Sequence, residues 1–354
     1  MGHVFWIQQQ GIYLRYCITH GRNGAQSTYA GRPDGVRRSP DVVSIDICDH
    51  ILEHWLAVQL LRVDQNKERL FFLFTTLAPT MTLDNGISNV GEIRRHPDFG
   101  SRYVAARTVE VWLPRAYAAE PNRRFPVLYM QDGQNLFDPA VSFGGVTWGV
   151  PKVVSGVIEN GEIRPVIVVG IWNTRHRGPE YLPKTAVHAE IEQAGMAFAN
   201  NPVADDYLRF MAEEVKPFVD ATYRTSPARE DTFALGSSRG ALISLYAVTA
   251  RPSVFGGAGC VSTHWPAAHG VLVAYFSGAL PRPGAHRFYF DHGTETLDAK
   301  YRPYQARMDD AMRRLGYTEG KDWITRVFPG AEHSERAWRE RLNVPLAFLL
   351  GAAR

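Results

Sequence analysis

A glycine-rich pentapeptide between two apolar stretches is the feature that most constrains the fold of this chain. Residues 236–240 read Gly-Ser-Ser-Arg-Gly, with mostly apolar residues before them at 232–235 and after them at 241–245. This G-x-S-x-G pattern predicts a strand, a sharp turn and a helix, because the two glycines let the backbone pass close to both elements. The central Ser238 would project its hydroxyl above the sheet, beside a helix N-terminus whose free N–H groups suit a developing oxyanion. The pattern makes Ser238 a candidate nucleophile, with an ordinary Gly/Ser turn as the alternative.

Strand-like and helix-like segments alternate on both sides of this pentapeptide. Apolar segments typical of strands lie at 108–113, 125–130, 165–172, 257–261, 287–290 and 323–328. Segments with helical spacing lie at 147–158, 205–223, 303–315 and 335–350, with a kink expected at Pro217. Because strands that alternate with helices form parallel sheets, the sequence predicts an α/β fold. Its sheet should be doubly wound, mostly parallel and flanked by helices.

Composition limits the class of protein. The chain has 354 residues, 45% hydrophobic and 21% charged, which suits one large globular domain or two smaller ones. Its net charge of +3 is too small to indicate a nucleic-acid partner, and no apolar run reaches the length of a membrane span. The cysteines Cys17, Cys48 and Cys260 form neither a zinc-like spacing nor a disulfide framework. The sequence therefore implies no metal and no cofactor.

The N-terminal region differs from the rest of the chain. We expect residues 1–80 to be an N-terminal extension and residues 81–354 to be the catalytic domain. A helix is predicted at 46–63, and it contains His50-Ile51-Leu52-Glu53-His54, which matches the zinc-peptidase pattern H-x-x-E-H. A catalytic zinc also needs a third ligand and a cleft, so a polar helix face is the preferred interpretation.

A second feature of the extension lies at 67–78, where a basic start precedes a short apolar core and small residues. The segment resembles a secretory signal in the wrong place. One hypothesis is that the assigned start lies too far upstream, so that an exported precursor begins somewhere before residue 67. The protein would then be secreted or periplasmic, and otherwise cytoplasmic, with 67–78 a buried strand or helix. Peptides from residues 1–60 in the native protein would contradict the hypothesis.

The base that a serine nucleophile requires should be a histidine after the last strand. His333 follows the segment 323–328 and occupies a loop at the carboxyl end of a strand, where open α/β sheets build their sites. The alternative is a surface histidine in a loop. His264 and His292 are competitors that could line the site, but neither follows the last strand.

The carboxylate that orients this base should follow the strand at 287–290. Asp291, Glu295 and Asp298 are all available there. Asp291 is closest to the strand end and could instead fix the turn, while Asp298 could be only a helix N-cap. Spacing alone does not separate the three carboxylates.

Residues from about 95 to 352 resemble the branch of the α/β-hydrolases that includes enterochelin esterases, feruloyl esterases and S-formylglutathione hydrolases. The segments that carry the resemblance are 127–138, 169–171, Arg177 with 180–183, 236–240, 291–298 and 330–338. The resemblance implies an α/β-hydrolase fold and hydrolysis of a carboxylic ester through an acyl-enzyme intermediate. It implies Ser238 as nucleophile and His333 as base. It favours Asp298 as the acid, because Asp298 lies just before the helix that contains Gln305, with Glu295 as the runner-up.

The expected oxyanion donors are the N–H of Arg239, directly after the nucleophile, and an N–H of the turn at Gly133 and Gln134. Many members of the branch carry a histidine-glycine pair in this second loop. Here the loop reads Gln131-Asp132-Gly133, so the sequence departs from the common pattern.

The substrate pocket is expected near the segment 262–283, which interrupts the fold between a strand and its successor. Trp265 and His264 in this segment, together with Trp172 and Trp148, would form its walls. The alternative for each tryptophan is a place in the core. Arg177 and Glu180, which belong to the segments that carry the resemblance, are expected either to contact substrate or to pair with each other.

Three functions fit these residues. The first is hydrolysis of a small-molecule ester by a serine nucleophile. The second is acyl transfer with the same three catalytic residues, in which an alcohol replaces water as the acceptor. The third is a non-catalytic ligand-binding role, against which the complete set of Ser238, Asp298 and His333 argues.

Overall fold

The computed structural model describes residues 3–9, 12–18, 90–183, 203–267 and 271–351. The chain divides into two compact units, Met1–Met81 and Thr82–Arg354. In the first unit, strand β1 (His3–Gln9) pairs antiparallel with β2 (Ile12–Ile18). The helix predicted at 46–63, with its H-x-x-E-H pattern, and the signal-like segment at 67–78 lie outside the described residues.

One sheet organises the second unit. The described residues of this unit form eight strands: β3 (Glu92–Phe99), β4 (Arg107–Leu113), β5 (Val127–Gln131), β6 (Ile167–Ile171), β7 (Thr232–Ser237), β8 (Gly257–Val261), β9 (Arg287–Gly293) and β10 (Trp323–Phe328). In order from one edge of the sheet to the other, they are β10, β9, β8, β7, β5, β6, β4 and β3. Neighbouring strands from β10 to β6 are parallel, whereas β4 and β3 run antiparallel to their neighbours. This arrangement confirms the predicted mostly parallel α/β fold.

The central strands are buried on both faces. Every residue of β5, β6, β7 and β8 is buried, which explains why these strands read as continuous apolar runs in the sequence. The edge strand β3 reads EIRRHPDF and is mostly exposed, so it shows neither an apolar run nor alternation. Its proline lies at an irregularity in the pairing with β4, a place where an edge strand tolerates a missing N–H. The sequence patterns therefore missed this strand.

Helices cover the sheet and form two apolar clusters with it. The larger cluster contains the helices that follow β6 and β7, and the smaller one contains Val150–Glu159 and the two C-terminal helices. The α-helices of the described second unit are Arg115–Ala119, Val150–Glu159, Arg177–Glu180, Ala204–Arg209, Lys216–Thr222, Arg239–Ala250, Leu272–Ala279, Arg302–Arg314, Glu335–Arg341 and Asn343–Leu350.

Two predicted helices are interrupted, and in each case a proline accounts for the break. The helix predicted at 205–223 contains a π-helical stretch, Phe210–Val215, just before Pro217, and the Lys216 N–H bonds to the carbonyl of Met211. The wider turn accommodates the proline, which has no N–H to donate. The last predicted helix divides at Leu342, because Pro345 cannot donate to the carbonyl of Arg341.

Candidate active site

The pentapeptide 236–240 forms the strand, turn and helix that its pattern predicts. Ser238 lies between β7 and the helix Arg239–Ala250, which we call the elbow helix. Its φ of 55° and ψ of −120° are strained for a residue with a side chain, a cost of about 1–3 kcal/mol that is typical of functional sites. A Cβ on Gly236 would lie only 2.6 Å from the backbone carbon of Gly240. The sharp turn therefore requires glycine at position 236.

His333 and Asp298 meet at the edge of the sheet formed by the carboxyl ends of its parallel strands, the edge at which Ser238 also lies. The Nδ1 of His333 donates to Oδ1 of Asp298 over 2.6 Å, and the ring packs edge-on against Trp338 and Tyr301. The other carboxylate oxygen of Asp298 accepts from the Ser262 hydroxyl at 2.5 Å and from the Gly293 N–H at 2.6 Å. Both oxygens are thus used, and the imidazole is held in one orientation.

Burial and hydrogen bonding oppose each other at Asp298. Burial alone would raise the pKa of this carboxyl, but the hydrogen bonds from His333, Ser262 and Gly293 outweigh it and lower the pKa below the usual value. Asp298 therefore stays ionised at neutral pH. An ionised carboxylate that accepts from Nδ1 leaves Nε2 of His333 as the nitrogen able to take a proton.

The other candidate acids and histidines have different partners. Glu295 is exposed and accepts only from the Thr294 hydroxyl among the described residues. Asp291 lies inside β9 and pairs with Arg341. His292 is buried in the same strand, with Nδ1 against the carbonyl of Gly293 at 2.6 Å. Of the carboxylates considered, Asp298 is the one that the structure brings to His333.

A buried polar network contacts Asp298 through the Ser262 hydroxyl. The guanidinium of Arg341 donates to the Ser262 hydroxyl at 2.7 Å and to Asp291 at 3.1 Å, and Trp338 donates to the same hydroxyl at 3.0 Å. Burial raises the pKa of Asp291, although Arg341 opposes this shift. The sequence patterns did not point to Arg341, because it lies about 40 residues beyond Asp298 on a helix with no local signature.

Tyr301 neighbours both Ser238 and the competing histidine. Burial raises the pKa of Tyr301, and the nearby side chain of Ser238 opposes this rise. The Tyr301 hydroxyl is 2.7 Å from Nδ1 of His264. The ring of Tyr301 also contacts His333, with ring centroids 5.7 Å apart. In the part of the chain that the structure describes, no hydrogen bond joins Ser238 to His333. Both side chains nevertheless neighbour the same tyrosine.

His264 is a neutral hydrogen-bond partner at neutral pH. Burial, followed by the positive charge of Arg239, lowers the pKa of His264 to about 4. In this neutral state Nδ1 of His264 shares a hydrogen bond of 2.7 Å with the Tyr301 hydroxyl.

The pKa of His264 predicts a specific loss of stability in acid. The unfolded chain takes up a proton on His264 at an ordinary value of about 6.5, whereas the folded chain does so only near 4. Between these values the unfolded state binds more protons, so the free energy of unfolding falls as the pH is lowered.

We expect urea unfolding at pH 7 and pH 4.5 to show a smaller loss of unfolding free energy for His264→Gln than for the wild type. His176→Gln, at an exposed position, is the control and should lose as much as the wild type. Equal losses in all three proteins would contradict the neutral state of His264.

The loop after β5 lies against β6 at the expected oxyanion position. A Cβ on Gly133 would lie 2.5 Å from the backbone carbon of Gly170, so only glycine fits this approach. Among the backbone hydrogen bonds of the described turns and loops, none uses the N–H of Gln134 or Arg239. Both groups are therefore available to a ligand. The side-chain carbonyl of Gln134 accepts from the Asn173 N–H at 3.1 Å, which fixes the turn.

Asp132, in the same loop, forms an ion pair. It has a left-handed backbone with φ of 57°, and its carboxylate accepts two hydrogen bonds from Arg177, at 2.7 and 2.8 Å. Burial alone would lower the pKa of Arg177, but Asp132 raises it. Glu180 pairs instead with Arg107 at 2.7 Å. The expectation that Arg177 and Glu180 pair with each other is therefore wrong.

The predicted aromatic walls are only partly available to a substrate. Trp265 is 0% exposed, packs in the core and donates to Gln305 at 2.9 Å, so it does not line an accessible pocket. Trp148 is likewise buried, against Trp338. Trp172, at the end of β6, is partly exposed and donates to Glu110 at 2.7 Å. His264 is also partly exposed, so Trp172 and His264 remain candidate substrate contacts.

The described residues contain no group of three or more histidine, cysteine, aspartate or glutamate side chains arranged to hold a metal ion. None of the helices in these same ranges is long and apolar enough to cross a bilayer.

A protein-family model matches most of the chain. The model is described as "Putative esterase" and covers residues 102–349, more than half of the sequence. The match includes Ser238, Asp298 and His333, and it begins well after the N-terminal unit.

Curated relatives and solved structures are similar to the same region. The uncharacterized protein YbbA of Bacillus subtilis (strain 168) is 21% identical over 257 residues, covering 70% of this chain and 94% of that protein. Ferri-bacillibactin esterase BesA of the same organism is 26% identical over 170 residues, covering 45% of this chain and 55% of BesA. The matched region therefore spans nearly all of one relative and about half of the other.

Among solved structures, a ferulic acid esterase superposes with a TM-score of 0.54 at 18% identity, covering 73% of this chain and 98% of that chain. The enterobactin esterase FES from Shigella flexneri, solved in the presence of enterobactin, gives 0.53 at 20% identity, covering 73% and 58%. At these identities the superpositions show a shared fold. Together with the family match, they show that the chain belongs to the "Putative esterase" branch of the α/β-hydrolase superfamily and is an esterase.

Proposed function

We propose that the protein is a serine carboxylic ester hydrolase that works through an acyl-enzyme intermediate. In this mechanism Ser238 is the nucleophile, His333 is the general base and Asp298 orients the base. The observation that most supports the proposal is the hydrogen bond between His333 and Asp298, at the same sheet edge as the strained turn of Ser238. A small-molecule ester is the substrate class that suits this arrangement.

The first half-reaction forms the acyl-enzyme. Nε2 of His333 removes the proton of the Ser238 hydroxyl as Oγ attacks the ester carbonyl. Such catalytic hydrogen bonds are often long or misaligned in the free enzyme and tighten when substrate binds. Asp298 stabilises the imidazolium that forms. His333 then gives the proton to the leaving alcohol, and the carbon–oxygen bond to that alcohol breaks.

The oxyanion of the tetrahedral intermediate would accept from the N–H groups of Arg239 and Gln134. The first lies at the N-terminus of the elbow helix, where the helix dipole also favours negative charge. Each donor of this kind contributes about 3 kcal/mol to lowering the barrier.

The second half-reaction releases the acid. Water takes the place of the alcohol, His333 removes its proton, and the hydroxide attacks the acyl carbonyl. The tetrahedral intermediate collapses, Ser238 recovers its proton from His333, and the carboxylic acid leaves.

The test of this proposal is hydrolysis of p-nitrophenyl esters of short and long acids. We expect release of p-nitrophenol with at least one of them, and the preferred chain length would measure the depth of the acyl pocket. Failure to hydrolyse any member of the series would count against a general ester hydrolase.

A further inference from the structure

Arg239 is a half-buried arginine that has no acidic partner within the described part of the chain. It is the first residue of the elbow helix, directly after Ser238. Among the described residues its guanidinium forms no hydrogen bond and no ion pair. Three arginines in or near the site differ in this respect, because each is paired with a carboxylate: Arg107 with Glu180, Arg177 with Asp132 and Arg341 with Asp291.

The position of the guanidinium is defined by the turn that follows β6. One terminal nitrogen of Arg239 lies 3.0 Å from where a Cβ on Gly178 would be, so the side chain rests against that glycine. Gly178 lies next to Arg177, whose charge also acts on Arg239. Asp132 already neutralises Arg177 with two hydrogen bonds. The positive charge that remains here belongs to Arg239.

An unpaired, partly desolvated cation costs free energy, and an anionic ligand would offset this cost. Burial, together with the charge of Arg177, lowers the pKa of Arg239, which reflects the same lack of an acidic neighbour. Arginine nevertheless remains charged at neutral pH. Unbalanced charges in a site with a nucleophile are candidates for substrate recognition.

We propose that the side chain of Arg239 binds a carboxylate group of the substrate, so that the preferred substrates are esters that also carry a carboxylate. The planar guanidinium matches the two oxygens of a carboxylate. Because the backbone N–H of Arg239 would meet the oxyanion, the carboxylate should lie within one arginine side chain of the reacting carbonyl. The inference rests on the proposed role of Ser238, and the carboxylate can belong to either the acyl part or the alcohol part.

Two matched pairs of esters test the two positions of the carboxylate. For the alcohol part, 4-acetoxybenzoate is compared with methyl 4-acetoxybenzoate. For the acyl part, monomethyl glutarate is compared with methyl pentanoate. The quantity measured is the ratio of kcat/KM for the charged ester to kcat/KM for its neutral partner. Ratios in variants are compared with the wild-type ratio, which removes the intrinsic reactivity of each ester.

We expect Arg239→Met to lower this ratio about 10- to 100-fold in at least one pair, the range typical of a charge-assisted hydrogen bond. Arg239→Lys should give a smaller loss, because lysine keeps the positive charge but lacks the planar guanidinium that can bind both oxygens of a carboxylate. Arg175→Met is the matched control and should leave both ratios unchanged. Arg175 is an exposed arginine in the turn after β6, the turn against which Arg239 rests.

Unchanged ratios in Arg239→Met, with neutral esters still hydrolysed, would overturn the inference and leave the serine mechanism standing. Hydrolysis that persists in Ser238→Ala would instead contradict the proposed function.

Binding without turnover gives an independent readout. In the Ser238→Ala background, isothermal titration calorimetry measures the affinity for 4-acetoxybenzoate, for monomethyl glutarate and for their neutral partners. We expect at least one carboxylate to bind about 10-fold or more tightly than its neutral partner, and this preference to disappear when Arg239→Met is added. Equal affinities within both pairs would overturn the inference even if no ester is turned over.

Discussion

Replacing Ser238 by alanine is expected to abolish ester hydrolysis and to leave the fold intact. Loss of the nucleophile removes the acyl-enzyme route, and in serine hydrolases this lowers kcat by about 10⁴-fold or more. Ser238 is only partly buried, so the change in the free energy of unfolding should stay below about 1 kcal/mol. The measurement is p-nitrophenol release, with thermal unfolding in parallel.

The neighbouring Ser237 supplies the control for this experiment. It is the last residue of β7, is buried and lies outside the proposed constellation. Ser237→Ala should therefore keep ester hydrolysis within about an order of magnitude of the wild type, even if it lowers stability slightly. Full activity in Ser238→Ala, or equal loss in both variants, would argue against Ser238 as the nucleophile.

Replacing Asp298 by asparagine is expected to lower kcat by about 10⁴-fold, the effect of the same change in other serine hydrolases. The amide oxygen can still accept from Ser262 and Gly293, as the Oδ2 of Asp298 does. Its NH₂ group must then face Nδ1 of His333, which forces the proton onto Nε2. In that tautomer His333 cannot accept the proton of Ser238. The measurement is kcat with a p-nitrophenyl ester at a pH where the wild type is fully active.

Glu295→Gln is the matched control, because it makes the same chemical change at the runner-up acid. Glu295 is exposed and has only a hydroxyl partner among the described residues, so we expect its kcat to stay close to wild type. If instead Glu295→Gln loses activity while Asp298→Asn retains it, the assignment of the acid is reversed.

The sheet could be predicted from the sequence wherever strands are buried on both faces. Runs such as Ile167–Ile171 are recognisable because no residue in them faces water. The edge strand Glu92–Phe99 could not be found in this way, since its stability comes from pairing with β4 and not from burial. The irregularity at Pro217 was expected from the sequence, whereas the division of the last helix at Leu342 was not.

The candidate site was predictable where chain order carries the information. Ser238 lies in a local pattern, and His333 follows the last strand, so both could be named before the fold was known. The acid could not, because three carboxylates occur within eight residues. The structure separates them: β9 extends to Gly293, which places Asp291 inside the sheet against Arg341, whereas Asp298 lies in the 3-10 helix Thr296–Lys300, beside His333.

Residues whose role depends on tertiary contacts could not be predicted. Trp265 looked suited to a pocket wall, yet it is packed in the core against Phe276 and Phe290. Tyr301 and Arg341 have no motif of their own, and their place at the site follows only from the packing of their helices. The unpaired state of Arg239 is likewise visible only when the neighbours of its guanidinium are known.

The most direct test of a serine nucleophile is covalent labelling with a p-nitrophenyl phosphonate ester, which reacts with an activated serine and mimics the tetrahedral intermediate. We expect one phosphonyl group per chain, located on the peptide that contains Ser238, and a loss of ester hydrolysis in proportion to the labelling. Ser238→Ala should take up no label at this site. Labelling at another residue that abolishes activity, or complete labelling of Ser238 with hydrolysis unaffected, would contradict the proposed mechanism.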